Sequence, residues 1–123
     1  MAKIDQNGCQ RICPLDCKKC FLDWRFGSGS TTVEIFEIES CNEHRRTGRG
    51  RWLINKLISE LIRNHPKVRL IFAFTREGNF IAQQFYEAMK FRVTAPVRDF
   101  YQDTKRDNTI DAILYGRDIR GLP

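Results

Sequence analysis

Residues 39–61, ESCNEHRRTGRGRWLINKLISEL, hold the end of one strand, a short basic loop with two glycines, and the first part of a strongly amphipathic stretch. The segment before it, Thr31 to Ser40 (TTVEIFEIES), is rich in β-branched residues and reads as a strand. From about Gly50 to Asn64, Leu53, Ile54, Leu57, Ile58, Leu61 and Ile62 recur at helical spacing and make one apolar stripe, with Lys56, Glu60 and Arg63 off it. Asn64-His65-Pro66 ends that helix, because proline cannot continue it and biases its predecessor away from the α region. Val68 to Thr75 (VRLIFAFT) then reads as a strand buried on both faces. Strand, glycine loop, helix and apolar strand make a parallel βαβ unit with a right-handed crossover, which sets an α/β fold.

The flanking elements fit around that unit. Cys20 to Phe26 (CFLDWRF) reads as a strand by its aromatic content, and Gly27-Ser28-Gly29-Ser30 as the turn of an antiparallel hairpin with residues 31–40. Asn79 is a good N-cap for a helix running to about Met89, with Ile81, Phe85 and Met89 as its inner face. Phe91 to Tyr101 reads as a strand interrupted near Pro96, Gln102 to Asn108 as a polar turn, and Thr109 to Arg117 as the last strand. Residues 1–16 show no periodicity. The division expected is an irregular cysteine-containing arm over 1–19 and one domain over 20–123.

Composition bounds the function. A hydrophobic share of 41% is enough for a core, and no apolar run approaches the roughly 20 residues of a membrane span. The polar start, MAKIDQNGCQRIC, has no hydrophobic centre of the secretory kind, so the default compartment is cytoplasmic. A net charge of +6 suits a polyanionic partner, either nucleic acid or a phosphate-bearing cofactor. Arg45, Arg46, Arg49 and Arg51 crowd the two glycines, whereas the other basic residues are scattered. Unpaired N–H groups at a helix start, the positive end of the helix dipole and arginines beside them make an anion site.

Two constellations carry the chemistry. The first is Arg45-x-x-Gly48-x-Gly50, where the glycines let the backbone approach a phosphate without a Cβ in the way. It has neither the Gly-Lys-Ser/Thr ending of a Walker loop nor the third glycine of a dinucleotide fingerprint. The second is Asn79-x-x-Ala82-x-x-Phe85-Tyr86-Glu87-x-x-x-Phe91. Phe85 and Phe91 read as core. Tyr86 lies about 100° round the helix from Phe85, where a hydroxyl at the edge of a cleft can give up a proton.

In this order, with an apolar strand between them, the two constellations resemble the acetyl-coenzyme A core of the GNAT superfamily of N-acetyltransferases. The resemblance covers about residues 20–117, and Lys90 stands where that family carries glycine. It implies a mixed β-sheet, flanked by helices and splayed between strands 31–40 and 68–75, with acetyl-CoA in the split. It implies backbone N–H groups around Arg45, Arg46, Thr47, Gly48, Arg49 and Gly50 on the pyrophosphate, with Ile38 and Ser40 pairing with the pantetheine arm and acetyl carbonyl. Asn79 would lie near the pantetheine, and Tyr86 would protonate the leaving thiolate as an amine attacks the thioester directly. Glu34, Glu37 and Glu39 are candidates for the base that neutralises the amine, with Glu34 at the spacing from Arg45 where histone-acetyltransferase-type members carry theirs.

The family places a strand and two helices before the hairpin, and about 20 residues precede it here, so the fold is read as shortened at its N-terminus. A partner subunit, as in a homodimer, completing the acceptor site is one consequence; an open site or cofactor binding without turnover are the others. The function expected is acetyl transfer to an amine on a small molecule or a protein, with a non-catalytic CoA-binding or interaction module as the alternative. A nucleic-acid-binding domain is the weaker rival, since it leaves the second constellation unexplained. Cys9, Cys13, Cys17 and Cys20 have the ligand type for tetrahedral zinc, but thiols without metal are the reading kept. Cys41 is taken as structural, and His44 and His65 are given no role.

Overall fold

The computed structural model describes residues 8–40, 48–103 and 108–120. They form β1 (Gln10–Ile12), β2 (Phe21–Phe26), β3 (Thr32–Glu39), α1 (Arg49–Asn64), β4 (Leu70–Arg76), α2 (Phe80–Ala88), β5 (Arg92–Asp103) and β6 (Asn108–Asp118). The strands are hydrogen-bonded in the order β1-β2-β3-β4-β6-β5, the α/β class with a mixed sheet expected from the sequence. Two compact units divide the chain, residues 1–71 with 118–123 and residues 72–117.

In the first unit, β2 and β3 form the expected antiparallel hairpin, turned at Gly27 to Ser30. Gly29 has φ +80° and Ser30 φ +59°, so the turn runs through the left-handed region for two residues. Opposite Asp23 and Trp24 stand Glu37 and Ile35, which leaves Phe36 as the extra residue of a bulge. The register slip turns Phe36 and Glu37 outward beyond the buried Val33 and Ile35. β1 pairs antiparallel with β2, from Gln10 opposite Trp24 to Ile12 opposite Leu22. That short strand lies in the stretch read as irregular: three residues are too few to show a period, and pairing with β2 supplies the order that local propensity lacks.

α1 buries Leu53, Ile54, Leu57 and Leu61 and lies against β1 and β2. Its stripe is narrower than the spacing suggested. Ile58 is half-buried and Ile62 is 49% exposed. At the far end of α1 the Arg69 N–H donates to the Thr31 carbonyl at 2.8 Å, so β3 and β4 begin side by side, as a crossover between parallel strands requires. The Ile119 N–H donates to the Arg69 carbonyl, which sets the end of β6 beside the start of β4.

In the second unit, β4 alternates. Ile71 (at the boundary with the first unit), Ala73 and Thr75 are buried, while Phe72 and Phe74 are half-buried, so it is not the doubly buried strand its apolar run suggested. Phe74 stacks on Phe100 with ring centres 4.4 Å apart. β5 and β6 pair with two register shifts, between Val93 and Ala95 and between Val97 and Tyr101, and Pro96 lies between them opposite Ile113 on an edge strand, where proline is tolerated. α2 corrects the expected inner face. Ile81 is 83% exposed, and Ala82, Tyr86 and Met89 turn inward. The stripe at i, i+4, i+7 begins one residue later than the one read from Ile81, a choice that a nine-residue helix leaves open in sequence.

Candidate active site

α1 begins at Gly48, which takes φ +81° and ψ +11° as its N-cap. No side chain caps the helix there, and there are no acidic residues in its first turn. Among the described residues, no side-chain oxygen caps the backbone N–H groups of Arg49, Gly50 and Arg51 at the positive end of this sixteen-residue helix. A Cβ built on Gly48 would meet no atom of the described residues within 4 Å. This is the donor set that a pyrophosphate needs. Arg45, Arg46 and Thr47, expected to share that role, lie outside the described residues, as do Cys41, His44 and residues 104–107 of the polar turn.

The structure adds a partner for Arg49 that no sequence spacing signals. Its Nη1 and Nη2 donate to the two carboxylate oxygens of Asp16 at 2.8 and 2.6 Å. Asp16 offsets a cation placed at the wrong end of the helix dipole, and its hydrogen bonds raise the Arg49 pKa. A second unforeseen carboxylate is Asp23, buried on β2 and held by Arg11 in a two-pronged pair at 2.7 and 2.9 Å. Arg11 also stands 3.9 Å over the Phe21 ring.

Glu34, the expected base, is opposite Arg25 in the hairpin and receives hydrogen bonds from its Nε and Nη2 at 3.3 and 3.2 Å. Glu37 and Glu39 point to solvent. Beyond the bulge, Ile38 and Ser40 are half-buried.

In the second unit, Asn79 caps α2: its Oδ1 accepts from the Ala82 N–H at 3.1 Å. Gln83 ties the loop before the helix, donating to the carbonyls of Arg76 and Glu77 at 3.1 and 2.7 Å. Tyr86 is the one buried residue of α2, at 4% exposure, and not the residue at a cleft edge that the helical wheel suggested. It packs edge-on to Phe85 and Phe91 and stacks against Tyr115. Burial pushes its phenol well above the ordinary tyrosine range, with the nearby Tyr101 adding to the shift, so Tyr86 keeps its proton at neutral pH. The same burial makes the phenol a weaker acid than a free tyrosine.

Among the described residues, no group of three or more His, Cys, Asp or Glu side chains is arranged to hold a metal. Cys9 and Cys20 are buried, Cys17 is half-buried and Cys13 is exposed, and all four are thiols. No helix among the described residues is long and apolar enough to cross a membrane. A shallow depression of about 330 Å³ lies at the other end of α1, lined by Phe26, Asn64, His65, Pro66 and Val68 among others. It is mostly apolar and has none of the converging donors found at Gly48.

The sequence model of the Acetyltransferase (GNAT) family matches residues 8–91, well over half of the chain. The chain belongs to the GNAT acetyltransferase family. Solved structures agree on the fold. The ribosomal-protein-S18-alanine N-acetyltransferase of Escherichia coli is 26% identical with a TM-score of 0.68, and the match covers 85% of this chain. A GNAT family acetyltransferase from Elizabethkingia anophelis with acetyl-CoA bound is 16% identical with a TM-score of 0.76, over 91% of this chain and 77% of its own. Arabidopsis thaliana NAA60 in complex with acetyl-CoA is 18% identical with a TM-score of 0.72, over 97% of this chain and 72% of its own. The chain spans 64% of the length of the E. coli enzyme. No curated protein matches the chain. The GNAT match begins at residue 8, two residues before β1, so the family's sequence pattern already includes the strand that the cysteine-rich start did not reveal.

Proposed function

We propose that this GNAT protein is an N-acetyltransferase that moves an acetyl group from acetyl-CoA to an amine, on a small molecule or a protein. The observation that carries the reading is the start of α1 at a left-handed glycine, with no side-chain cap among the described residues, next in the element order after the bulged β3. Acetyl-CoA supplies an acyl thioester; the acceptor supplies a neutral amine.

The roles follow from what each residue can donate or hold. The N–H groups of Arg46 to Gly50 bind the pyrophosphate, with Arg45 beside them. Ile38 and Ser40 offer extended backbone to the pantetheine. Asn79 keeps its Oδ1 on the Ala82 N–H and offers its amide NH₂ to a ligand. Tyr86 holds a proton on its hydroxyl and delivers it to the departing sulfur. Glu34 accepts the amine's proton, directly or through water, once it shares Arg25 with solvent.

The second reading, a module that binds CoA without turnover, is favoured by one observation: Glu34 is already engaged by Arg25. One experiment separates the two. Thermal unfolding with acetyl-CoA at about a hundred times its dissociation constant should show a stabilisation of about 2.7 kcal/mol. Release of CoA thiol should then appear with a panel of amines that includes peptides with a free N-terminus. Tyr86→Phe should leave the thermal shift intact and slow release by about a hundredfold or more. A shift with no release for any acceptor supports the binding module, and no shift at saturation removes both readings.

A further inference from the structure

The segment before β2 is made of two successive turns. The Cys17 N–H donates to the Pro14 carbonyl at 3.4 Å and closes the first. Lys18 and Lys19 form the tip of the second, which runs from Cys17 to Cys20. A four-residue turn brings the Cα atoms of its first and last residues to within about 7 Å. That is the separation at which a disulfide can close, with little movement of the backbone.

The two thiols differ in access. Cys17 is half-buried, and Cys20 is fully buried at the start of β2. Lys18 and Lys19 at the tip of the turn are exposed, and the Arg49 guanidinium, paired with Asp16, lies near both sulfurs. The thiolate is the species that attacks a disulfide. Asp16, next to Cys17, is the residue that grips Arg49 at the first turn of α1.

We propose that Cys17 and Cys20 are a redox-responsive pair that closes to a disulfide on reaction with a low-molecular-weight disulfide such as glutathione disulfide. The Cys17 thiolate attacks one sulfur of glutathione disulfide and releases one glutathione thiolate, leaving a mixed disulfide on Cys17. The Cys20 thiolate then attacks the Cys17 sulfur and releases the second glutathione. Two protons leave the protein's thiols, and its two electrons go to the glutathione pair. Burial keeps the bulky reagent from Cys20, so the order of attack is set by access. The closed loop ties Asp16 to β2, and with it the carboxylate that holds Arg49. This proposal is independent of the acyl-CoA reading.

The test is incubation of the whole reduced protein with glutathione disulfide, quenching with a thiol-blocking reagent, and peptide mapping by mass. A Cys17–Cys20 cross-link as the principal internal disulfide is the expected result. It should be lost in Cys17→Ser, a substitution at a half-exposed site that spares the core, while Cys13 still takes up glutathione. Pairing of either residue with Cys9, Cys13 or Cys41, or glutathione retained on Cys17 without an internal bond, overturns the proposal. Hydrogen exchange of the oxidised protein gives a second readout. Amides of the first turn of α1 should exchange several-fold more slowly than in the reduced form, and equal rates overturn the link to α1.

Discussion

Two single residues hold conformations or environments that their side chains do not favour. Lys90 has φ +67°, a left-handed value that costs a residue with a Cβ about 1–2 kcal/mol. It is held there by a Schellman closure of α2. The Phe91 N–H donates to the Tyr86 carbonyl at 2.9 Å and the Lys90 N–H to the Glu87 carbonyl at 3.0 Å. The Phe91 ring also meets Tyr86, the apolar contact that usually accompanies the motif. Lys90→Gly should raise stability by about 1 kcal/mol in denaturant unfolding, with an unchanged slope. Thr75 presents the opposite case. Its hydroxyl is buried on β4 without a hydrogen-bond partner among the described residues. An unmade bond of that kind costs about 1–3 kcal/mol, so Thr75→Val, which keeps the shape, should stabilise by about 1 kcal/mol or more. A loss of stability instead would mean that the hydroxyl is satisfied in solution.

At the scale of elements, α1 shows how much of the molecule could be read in advance and where reading stopped. Its apolar spacing, the glycines before it and the Asn-His-Pro end are local signals, and they fixed its existence and bounds to within a residue. What completes it is remote. Arg120 donates from Nε to the Val68 carbonyl at 2.8 Å and from Nη2 to the carbonyls of Leu61 and His65, both at 3.1 Å. The guanidinium thus satisfies carbonyls at and just beyond the negative end of the helix dipole, and nothing in a short tail after β6 announces that. The Asp16 grip at the other end is equally silent, because 33 residues separate it from Arg49. In α2 the N-cap was legible from Asn79 alone, whereas its buried face was not. The helix is short and apolar on several sides, and packing in its own unit chose Tyr86 over Ile81. Arg120→Ala should destabilise by about 1–2 kcal/mol, and Arg120→Lys should recover only part of it, since an ammonium cannot reproduce the planar fork. Equal stability of all three proteins by chemical unfolding would show that water replaces the guanidinium at no cost.

For the whole molecule, the burial of Tyr86 sets how stability responds to alkali. An unfolded tyrosine loses its proton near pH 10, and the folded Tyr86 does so only well above that. Below about pH 10 both states keep the proton, and the contribution of this group to stability is complete. As pH rises further the unfolded chain ionises first and binds fewer protons than the folded one, so folding loses free energy at up to about 1.4 kcal/mol per pH unit. Tyr86→Phe removes the group from both states. Its unfolding free energy, measured by denaturant titration between about pH 9 and 11, should therefore fall less steeply than that of the wild type, and the two should run parallel at lower pH. Parallel curves through the whole range would mean that the Tyr86 hydroxyl is as well solvated folded as unfolded. A phenol in that state ionises in the ordinary range. The alkaline limb of a stability curve thus tests the burial of the Tyr86 hydroxyl without an acceptor in hand.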